Sequence, residues 1–594
     1  MPYVPLEWLA EHVEVPAGTS AADLAAALVK VGLEPEQIVP AKVTGDLVVG
    51  RVLTLSRKVQ KNGKTIGYAR VDVGSFNDAP GEGAEPSELP SRGIICGAPN
   101  LEEGQHVLVA LPGTVLPGDF QIAARKTYGH ISDGMICSEV ELGLGDDHDG
   151  IIVLDEYLAG EIPPVGTNML SSLGLSTELL EINITPDRGY CFSMRGVARE
   201  YGHSTGGEFT DPVSLLSPPT GSADGGFGVE VRDDAPLHGN VGCTRFVARR
   251  VRGVDPNAPS PQWMQKRLAE AGMRSISLGV DVTNYVMLDL GQPLHGYDLG
   301  KMREPIVVRR ARPGERLTTL DDVDRALDPQ DLLITDDGGE RVLGLAGVMG
   351  GASTEIDENT TDVLIEAAHF DPSSVARTAR RHKLPSEAAK RFERGVDTNL
   401  QHYAAQYAAD LLVEYGGGEI EDVYTDLNET AAPAPVTLAA DFPSRHVGVE
   451  YSPADVTEVL TAIGCTVEGV DPFIVTPPTW RPDLTEDVDL VEEVARLKGY
   501  DAIPSVLPVA ASDGGLTPDQ QRRRAVARAY AEHGLIEVLS YPFVGDTYSR
   551  IGVPEDDPRR NMVRLANPLA DDAPYMRSTL LSTLIEVARR NVGR

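Results

Sequence analysis

Val48-Val49-Gly50-Arg51-Val52 is the first of several short apolar runs that are separated by glycines and polar turns. Similar runs follow at 68–73, 94–97 and 107–110. Alternating apolar residues bounded by turn-forming residues are typical of β-strands. Closely spaced strands of this kind predict a small β-barrel, and the region with this pattern extends from residue 42 to 155.

On either side of this barrel region the composition changes. Residues 6–31 predict one or two short helices, with Ser20 as an N-cap before an alanine-rich run. Pro and Gly clusters at 218–226 and 431–435 indicate linkers. Beyond them, helices are predicted at 453–463, 485–498 and 520–532, and an extended segment at 537–543.

The chain length of 594 residues predicts about three to six domains, because a single hydrophobic core stops growing well below this size. We predict a multidomain α+β fold. Its parts are an N-terminal helical segment (1–41), the barrel (42–155), a return segment that packs with the N-terminus (156–214), a mixed α/β domain (215–427), a small α/β domain (430–507) and the start of a further α/β domain (515–594).

The composition is strongly acidic, with a net charge of −36. Nucleic-acid phosphates must be neutralised by Lys and Arg, which argues against binding over the whole surface, so any such contact must be local. A general solubility trait explains the same acidic balance. The five cysteines form no CxxC pair, which disfavours disulfides and a thiolate zinc site and fits a reducing cytoplasm. Because the N-terminus lacks signal-peptide features and no apolar run approaches the roughly 18 residues of a membrane span, we expect a cytoplasmic protein without membrane contact.

A local reversal of charge lies inside the barrel region. Between Arg51 and Arg70 the chain has six basic residues and no acidic one. A basic patch on a small barrel is a footprint for nucleic-acid phosphates, but a solvated hairpin around Asn62-Gly63 explains the same residues. The candidate phosphate-contacting residues are Arg51, Arg57, Lys58, Lys61 and Lys64.

Polar residues and a histidine are concentrated beside Gly and Pro turns in the middle of the chain, as at a site built on loops. Glycines let a ligand approach the backbone, and a carboxyl flanked by apolar residues needs a polar partner. Single His and Glu residues are nevertheless more often structural than catalytic, so these residues alone do not assign a role. The candidates are Thr283, Asn284, His295, Gly347 and Glu366.

An acidic cluster follows Trp480-Arg481-Pro482. If a helix begins near Thr485, then Asp489, Glu492 and Glu493 share one face, and Asp483 lies in the entering turn. Converging carboxylates suit Mg²⁺ or Ca²⁺. Acidic residues in a first helical turn also stabilise the helix dipole without any metal, so both interpretations remain open.

The run Ile131–Glu139, followed by Leu142-Gly143-Leu144, resembles the OB-fold tRNA-binding module that several aminoacyl-tRNA synthetases share. Over nearly its whole length, from Val4–Leu9 to Met576–Leu581, the chain resembles the β subunit of bacterial phenylalanine tRNA synthetases. This resemblance implies a B3/B4 editing domain at 215–427, a B5 domain at 430–507 and a class II synthetase-like domain from 515. It also implies attachment of Phe to its tRNA with ATP, the aminoacylation site being on an α subunit in an αβ dimer of dimers.

The resemblance also implies functions for the candidate residues. Thr283, Asn284, His295, Gly347 and Glu366 match a pocket that hydrolyses tyrosine mischarged onto tRNA(Phe), with Glu366 accepting the tyrosine hydroxyl. Asp483, Asp489, Glu492 and Glu493 match positions attributed to a Mg²⁺ shared with the α subunit. Arg51, Arg57, Lys58, Lys61 and Lys64 become candidates for tRNA contact.

Some alternatives remain open. A second basic stretch at 380–397 indicates either tRNA contact or a solvated helix face. The last helix has no terminator, so we expect the chain to stop inside a domain and to lack the anticodon-binding domain of the family. The alternative function is a free-standing tRNA-binding or tRNA-editing protein without a synthetase partner, and a metal-dependent hydrolase is the weakest candidate.

Overall fold

The structure is a computed structural model that describes residues 2–59, 63, 65–77, 90–145, 150–158, 161–509 and 514–593. Its contacts divide the chain into two compact units, Met1–Pro504 and Ser505–Arg594. Within the described ranges, no helix combines the length and apolar character that crossing a membrane requires.

The first unit begins with two short helices between two strands. Ser20 caps the second helix, as predicted: its hydroxyl accepts from the Asp23 N–H at 3.2 Å, and the Asp23 carboxylate accepts from the Ser20 N–H at 3.0 Å. This reciprocal pair satisfies donors that a helix start otherwise leaves free. The elements are β1 (Tyr3–Val4), α1 (Leu6–Leu9), α2 (Ala21–Val29) and β2 (Glu34–Val39).

The predicted barrel region is built on a five-stranded antiparallel sheet. Its strands are β3 (Leu47–Val59), β4 (Thr65–Asp72), β5 (Arg92–Cys96), β6 (His106–Ala110) and β11 (Met135–Ile136), in the order β11-β6-β3-β4-β5. The smaller elements are β7 (Val115–Leu116), β8 (Phe120–Gln121), β9 (Arg125–Thr127), β10 (His130–Ser132), α3 (Glu139–Leu142) and α4 (Leu154–Tyr157). Leu47 and Val49 of β3 pack into one apolar cluster and Val48 into another, so both faces of this strand are covered. Gly50 is required there, because a Cβ atom would lie 2.7 Å from carbons of Val71 and Val109.

After the barrel, the chain returns to the N-terminal sheet. Strand β12 (Leu179–Asn183) pairs with both β1 and β2 and is therefore the central strand. Helix α5 (Met194–Thr205) follows and packs against α1 and α2. The return segment thus packs with the N-terminus.

The middle region contains two sheets, one of four strands in the order β15-β22-β14-β23 and one of five in the order β13-β16-β19-β20-β21. The elements are β13 (Val229–Arg232), β14 (Cys243–Arg252), α6 (Gln262–Glu270), α7 (Leu278–Leu290), β15 (Leu294–Asp298), β16 (Ile306–Arg310), β17 (Arg316–Thr318), β18 (Asp324–Ala326), β19 (Leu332–Asp336), β20 (Arg341–Leu345), β21 (Met349–Gly350), β22 (Val363–Phe370), α8 (Pro372–His382), α9 (Glu387–Phe392), α10 (Gln401–Gly416) and β23 (Glu419–Asn428). Leu364 of β22 packs with Leu333 of the other sheet, whereas Ile365 packs with residues of α7 and α10. Both faces of β22 are therefore buried.

The small domain that follows has three strands, with β26 in the centre of the sheet. Its elements are β24 (Val436–Leu438), α11 (Phe442–Val447), α12 (Pro453–Ala462), β25 (Thr466–Glu468), β26 (Phe473–Thr476) and α13 (Asp487–Lys498). The helices predicted at 453–463 and 485–498 are confirmed as α12 and α13. Helix α13 begins two residues later than predicted, because Glu486 is its N-cap.

The second unit comprises α14 (Pro518–Glu532), β27 (Phe543–Val544), α15 (Thr547–Arg550), β28 (Tyr575–Met576) and α16 (Leu581–Val592). The helix predicted at 520–532 is confirmed. Of the segment predicted to be extended at 537–543, only Phe543 lies in a strand. Strand β27 pairs with β28 from Phe543 onward, and the described residues just before it have no strand partner.

Candidate functional site

Two adjacent strands at the edge of the four-stranded sheet bring a histidine and a glutamate together. In the antiparallel pairing of β15 with β22, His295 lies opposite Glu366. Directly opposed residues project from the same face, and so does Tyr297, two residues along the strand from His295. Leu364 and Ala368 on this face belong to the apolar cluster between the two sheets, so the group lies in the interior of the domain.

The carboxyl group of Glu366 is buried and has a tyrosine of the same chain as its partner. Glu366 is 6% exposed, and the Tyr297 hydroxyl donates a hydrogen bond to its Oε2 atom at 2.5 Å. Burial raises the pKa of Glu366 to about 7, although the hydrogen bond from Tyr297 acts in the opposite direction. The carboxyl group therefore changes its charge close to neutral pH.

Tyr297 is a site residue that the sequence motifs did not single out. It is 1% exposed, and burial raises its pKa well above the usual value, so its hydroxyl remains a donor. Its spacing from His295 in the sequence could have identified it. On a strand, a residue two positions after His295 must share its face, and a predicted buried Glu366 needs a donor.

The imidazole of His295 stands edge-on to the Tyr297 ring, with ring centres 4.5 Å apart and planes at 84°. Its Nε2 atom is buried and, among the described residues, has no hydrogen-bond partner. Burial lowers the pKa of His295 to about 4, so the ring is neutral at pH 7. A neutral imidazole with a free nitrogen can hold a water molecule or a polar group of a ligand.

Two glycines in the loop around β21 permit this arrangement. A Cβ atom on Gly350 would lie 2.5 Å from Cε1 of His295, so a larger residue would displace the imidazole. Gly347 has a φ of +68°, and a Cβ atom there would lie 2.9 Å from Phe392 and 3.0 Å from Phe370. Backbone conformation and packing thus require glycine at 347, independently of any ligand.

Thr283 and Asn284 lie on α7, which covers the opposite face of the sheet from Glu366. The apolar side of α7 packs with Ile365, the neighbour of Glu366 that points the other way. The Thr283 hydroxyl donates to the Val280 carbonyl within its own helix at 2.7 Å. Within the part of the chain that the structure describes, neither Thr283 nor Asn284 is hydrogen-bonded to His295 or Glu366. The structure pairs only the last two directly, and a pocket role for Thr283 and Asn284 stays a prediction.

The acidic cluster differs from its prediction, beginning with Glu493. This residue is fully buried, and its carboxylate accepts hydrogen bonds from Arg188 (2.7 Å), Arg481 (2.8 Å) and Arg496 (2.8 Å). Burial alone would raise the pKa of Glu493, but the charges of the three arginines and the hydrogen bond from Arg481 outweigh it and hold the pKa well below the usual range. Glu493 is therefore an ionised carboxylate with arginines as its counter-charges.

The other three carboxylates have separate partners inside the chain. Asp483 accepts from Arg481 at 2.7 and 2.9 Å, Asp489 accepts from the backbone N–H groups of Thr485 and Glu486 at 2.8 and 2.7 Å, and Glu492 accepts from Arg188 at 3.0 Å and from Tyr500 at 2.6 Å. Among the described residues, no group of three or more His, Cys, Asp or Glu side chains is placed to hold a metal ion. The predicted convergence of Asp483, Asp489, Glu492 and Glu493 is not seen among the described residues, because arginines bind three of them and the helix cap turns Asp489 away. A Mg²⁺ shared with an α subunit at these positions stays a prediction.

Arg496 extends the same network to the beginning of the chain. Its guanidinium donates to Glu200 of α5 at 2.5 Å and to the Val31 carbonyl at 2.8 Å. Arg188 lies just after β12. Buried ion pairs therefore connect α13 of the small domain to the return segment, and a hydrogen bond connects it to the N-terminal segment.

The predicted basic patch is present on the surface in part. Arg51, Arg57 and Lys58 are exposed on β3, whereas Lys61 and Lys64 lie outside the described residues. The Arg57 guanidinium also donates to the carbonyl of Leu101 at 2.7 Å. Its position is thus fixed, while its charge stays at the surface.

Arg70 does not belong to this patch. It is 4% exposed, and its guanidinium donates to the hydroxyl and carbonyl of Ser91 at 2.8 and 2.7 Å. Its inclusion in the surface run was wrong, because its guanidinium is buried and ties β4 to Ser91, just before β5.

Family models match four successive parts of the chain. They are a putative tRNA binding domain (residues 47–161), a B3/4 domain (242–417), a tRNA synthetase B5 domain (436–500) and a phenylalanyl tRNA synthetase beta chain CLM domain (503–594). His295 and Glu366 lie in the B3/4 match, and the arginine-bound carboxylates lie in the B5 match. This succession defines a subunit of an aminoacyl-tRNA synthetase.

Relatives of known sequence narrow this class of synthetase subunits to one family. The phenylalanine–tRNA ligase beta subunit of Bifidobacterium longum is 52% identical over 616 residues, which cover 100% of this chain and 70% of that protein. The beta subunit of Thermobifida fusca is 52% identical over 596 residues, which cover 100% of this chain and 69% of that protein. The chain belongs to the family of phenylalanine–tRNA ligase beta subunits.

A solved structure is also similar to part of the chain. It is an N-terminal fragment of the phenylalanyl-tRNA synthetase beta subunit from Pyrococcus horikoshii, 15% identical, with a TM-score of 0.28. The match covers 54% of this chain and 88% of the fragment.

Proposed function

We propose that this chain, the β subunit of a phenylalanine–tRNA ligase, hydrolyses tRNA(Phe) that has been mischarged with tyrosine. The observation that carries the proposal is the hydrogen bond from Tyr297 to Glu366, in which a buried carboxyl group accepts a phenol hydroxyl. A tyrosyl ester presents the same hydroxyl, and a phenylalanyl ester does not. The domain therefore already contains a hydrogen bond of the kind that recognition of a tyrosyl group needs.

Glu366 acts as a selector in this proposal. Only its Oε2 atom is bonded to Tyr297, and no other donor within the described residues reaches the carboxyl group. The Oε1 atom is the acceptor left for a tyrosyl substrate. A synthetic site for Phe discriminates weakly against an added hydroxyl, whereas a second site that bonds this hydroxyl rejects Phe strongly. The synthetic site and the editing site together thus give an accuracy of aminoacylation that the synthetic site alone cannot reach.

His295 supplies a polar group beside the selector. Its neutral ring has a buried free nitrogen, and it stands opposite Glu366 in the strand pairing. We assign it the positioning of the attacking water or of the terminal ribose, both of which need a hydrogen-bond partner near the ester.

The partners and co-substrates belong to the same proposal. We infer an α subunit that contains the aminoacylation site, assembly as an αβ dimer of dimers, and phenylalanine, tRNA(Phe) and ATP with its Mg²⁺ as reactants, in the cytoplasm. The exposed Arg51, Arg57 and Lys58 support local tRNA contact in an otherwise acidic chain.

Deacylation of Tyr-tRNA(Phe) by the complex of this chain with its α subunit tests the editing proposal. Glu366→Gln is expected to slow deacylation about 10- to 100-fold, because it replaces a charged acceptor of the substrate hydroxyl by an amide. Aminoacylation with Phe should be unaffected.

Glu270→Gln is the matched control. Glu270 is also a buried carboxyl (3% exposed) that accepts a hydroxyl, from Thr177 at 2.7 Å, and burial raises its pKa as well. It lies on α6, outside the pair of strands that forms the pocket. Undiminished deacylation by Glu366→Gln, or an equal loss in the control, would remove Glu366 from the selector role.

A further inference from the structure

A groove with a volume of about 570 Å³ lies between the α8–α9 helices and the segment after β12. Four basic side chains line it, namely Arg380, Lys383, Lys390 and Arg394, together with the single acidic residue Glu393. In a chain with a net charge of −36, such a concentration of positive charge around one cavity is unusual. It indicates an anionic ligand.

The charges of this groove are incompletely neutralised by the protein. Among the described residues, Arg380 and Lys383 have no ion-pair partner, and both are exposed. The Nη1 atom of Arg394 is buried without a hydrogen-bond partner in the same described part. Lys390 pairs with Glu387 at 2.5 Å, near the start of its own helix. The Nε atom of Arg394 lies 3.8 Å from Oε1 of Glu393, so Arg380 and Lys383 are the two of the four cations that have no ion pair among the described residues.

The floor of the groove is apolar. Ile184, Phe192 and Leu384 line it, and each is less than 9% exposed. An apolar floor beneath a cationic rim suits a ligand with flat bases and a charged backbone, as in single-stranded nucleic acid. The groove is also much larger than a single phosphate or carboxylate needs.

The groove is connected to the candidate pocket through one loop. The Ser386 hydroxyl, in the turn between α8 and α9, donates to the Val348 carbonyl at 2.7 Å. In the same loop Gly347 packs on Phe392 of α9, and Gly350 packs on His295. The loop 346–351 therefore touches the groove helices on one side and the pocket histidine on the other.

We propose that this groove binds the single-stranded acceptor end of tRNA and directs it to the pocket of His295 and Glu366. Arg380, Lys383 and Arg394 contact the phosphates, and the bases lie on the floor formed with Phe192. The proposed path from the groove to the pocket rests on the proposed editing function, because only an esterified acceptor end carries the bond that is hydrolysed beside Glu366.

Binding of uncharged RNA by the full chain tests the groove independently of hydrolysis. The probes are a fluorescent acceptor-stem minihelix with a single-stranded 3′ CCA end and the same minihelix with a blunt end. The test variant is Arg380→Gln combined with Lys383→Asn, because Lys383 has a φ of +56°, which asparagine tolerates. The control variant is Arg303→Gln with Arg312→Gln, which removes two exposed charges (side chains 62% and 49% exposed) of the same domain outside the groove.

The test variant is expected to bind the CCA-ended minihelix about tenfold more weakly, and to reduce the slope of log affinity against log salt by about 1.4 for two lost contacts with single-stranded phosphates. Blunt-ended RNA and the control variant should show little change. Equal affinity of the test variant and the unaltered chain, an equal loss for blunt RNA, or no binding by the unaltered chain overturns the proposal. If groove variants lose binding while the unaltered complex does not deacylate Tyr-tRNA(Phe), the editing proposal fails and the RNA groove stands.

Discussion

The carboxyl group of Glu366 is under two opposing influences. Burial between two sheets favours the neutral acid, and the hydrogen bond from Tyr297 favours the carboxylate. Burial prevails, so the group has a pKa of about 7. A buried carboxyl group with a raised pKa reduces the stability of the folded chain at neutral pH. Groups with a pKa perturbed in this way are concentrated at functional sites.

This cost predicts how Glu366→Gln changes stability with pH. The pKa of Glu366 is about 7 in the folded chain and near 4.5 in the unfolded chain, so between these values the folded state retains a proton that the unfolded state has lost. Stability from this group therefore falls as pH rises through this window. The neutral amide avoids the loss, which amounts to at most about 3 kcal/mol.

Scanning fluorimetry should therefore give a higher melting temperature for Glu366→Gln than for the unaltered chain at pH 8, and nearly equal temperatures at pH 5. The same difference at both pH values would show that ionisation of Glu366 is not the cause.

At the scale of elements, α13 depends on arginines from distant parts of the chain. Arg188 precedes Glu493 by 305 positions, yet the two side chains form a buried ion pair. Helical spacing correctly predicted that Glu492 and Glu493 lie on α13. It could not reveal the arginines, because their approach is decided by how the return segment packs. The four carboxylates therefore do not converge among the described residues as their spacing alone predicted.

Glu493→Gln is expected to destabilise the first unit by about 3–5 kcal/mol, since three buried guanidinium groups would lose the counter-charge that they share. Glu492→Gln is the neighbouring control. The Glu492 side chain is 46% exposed, and its loss should cost at most about 1 kcal/mol. Urea unfolding curves of both variants give the comparison, and similar costs would mean that the network contributes little.

Removal of divalent cations should not alter the stability of α13. Asp483, Glu492 and Glu493 are already paired with arginines within the chain, so EDTA and added Mg²⁺ should give the same unfolding midpoint. An unfolding midpoint that rises with Mg²⁺ in the unaltered chain but not in Glu493→Gln would indicate that this cluster binds a metal ion.

Local signals explain which elements could be predicted. Ser20 caps α2 as its sequence indicates, and Ser452 caps the helix predicted to begin at 453, because capping depends on residues three positions away. The segment predicted to be extended at 537–543 forms a strand only from Phe543, because a strand also requires a partner that sequence pattern does not supply. Tyr297 was missed for the same reason: its partner Glu366 lies 69 positions away.

At the scale of the whole molecule, positive charge is concentrated in local regions of an acidic chain. The exposed arginines and lysine of β3 and the groove beside α8 and α9 are two regions of positive charge against a total of −36. Local basic regions favour specific contact with RNA over binding along the entire surface. The order of the modules was predictable from motifs, and the chain spans about 70% of the length of its relatives.

The selectivity of deacylation tests the editing role most directly. The rate of hydrolysis of Tyr-tRNA(Phe) should exceed that of Phe-tRNA(Phe) by at least about 100-fold in the complex of this chain with its α subunit, because only tyrosine offers a hydroxyl to Glu366. In Glu366→Gln the ratio should fall toward one. A ratio that survives this substitution would contradict selection by Glu366, and a ratio near one in the unaltered complex would contradict editing by this chain.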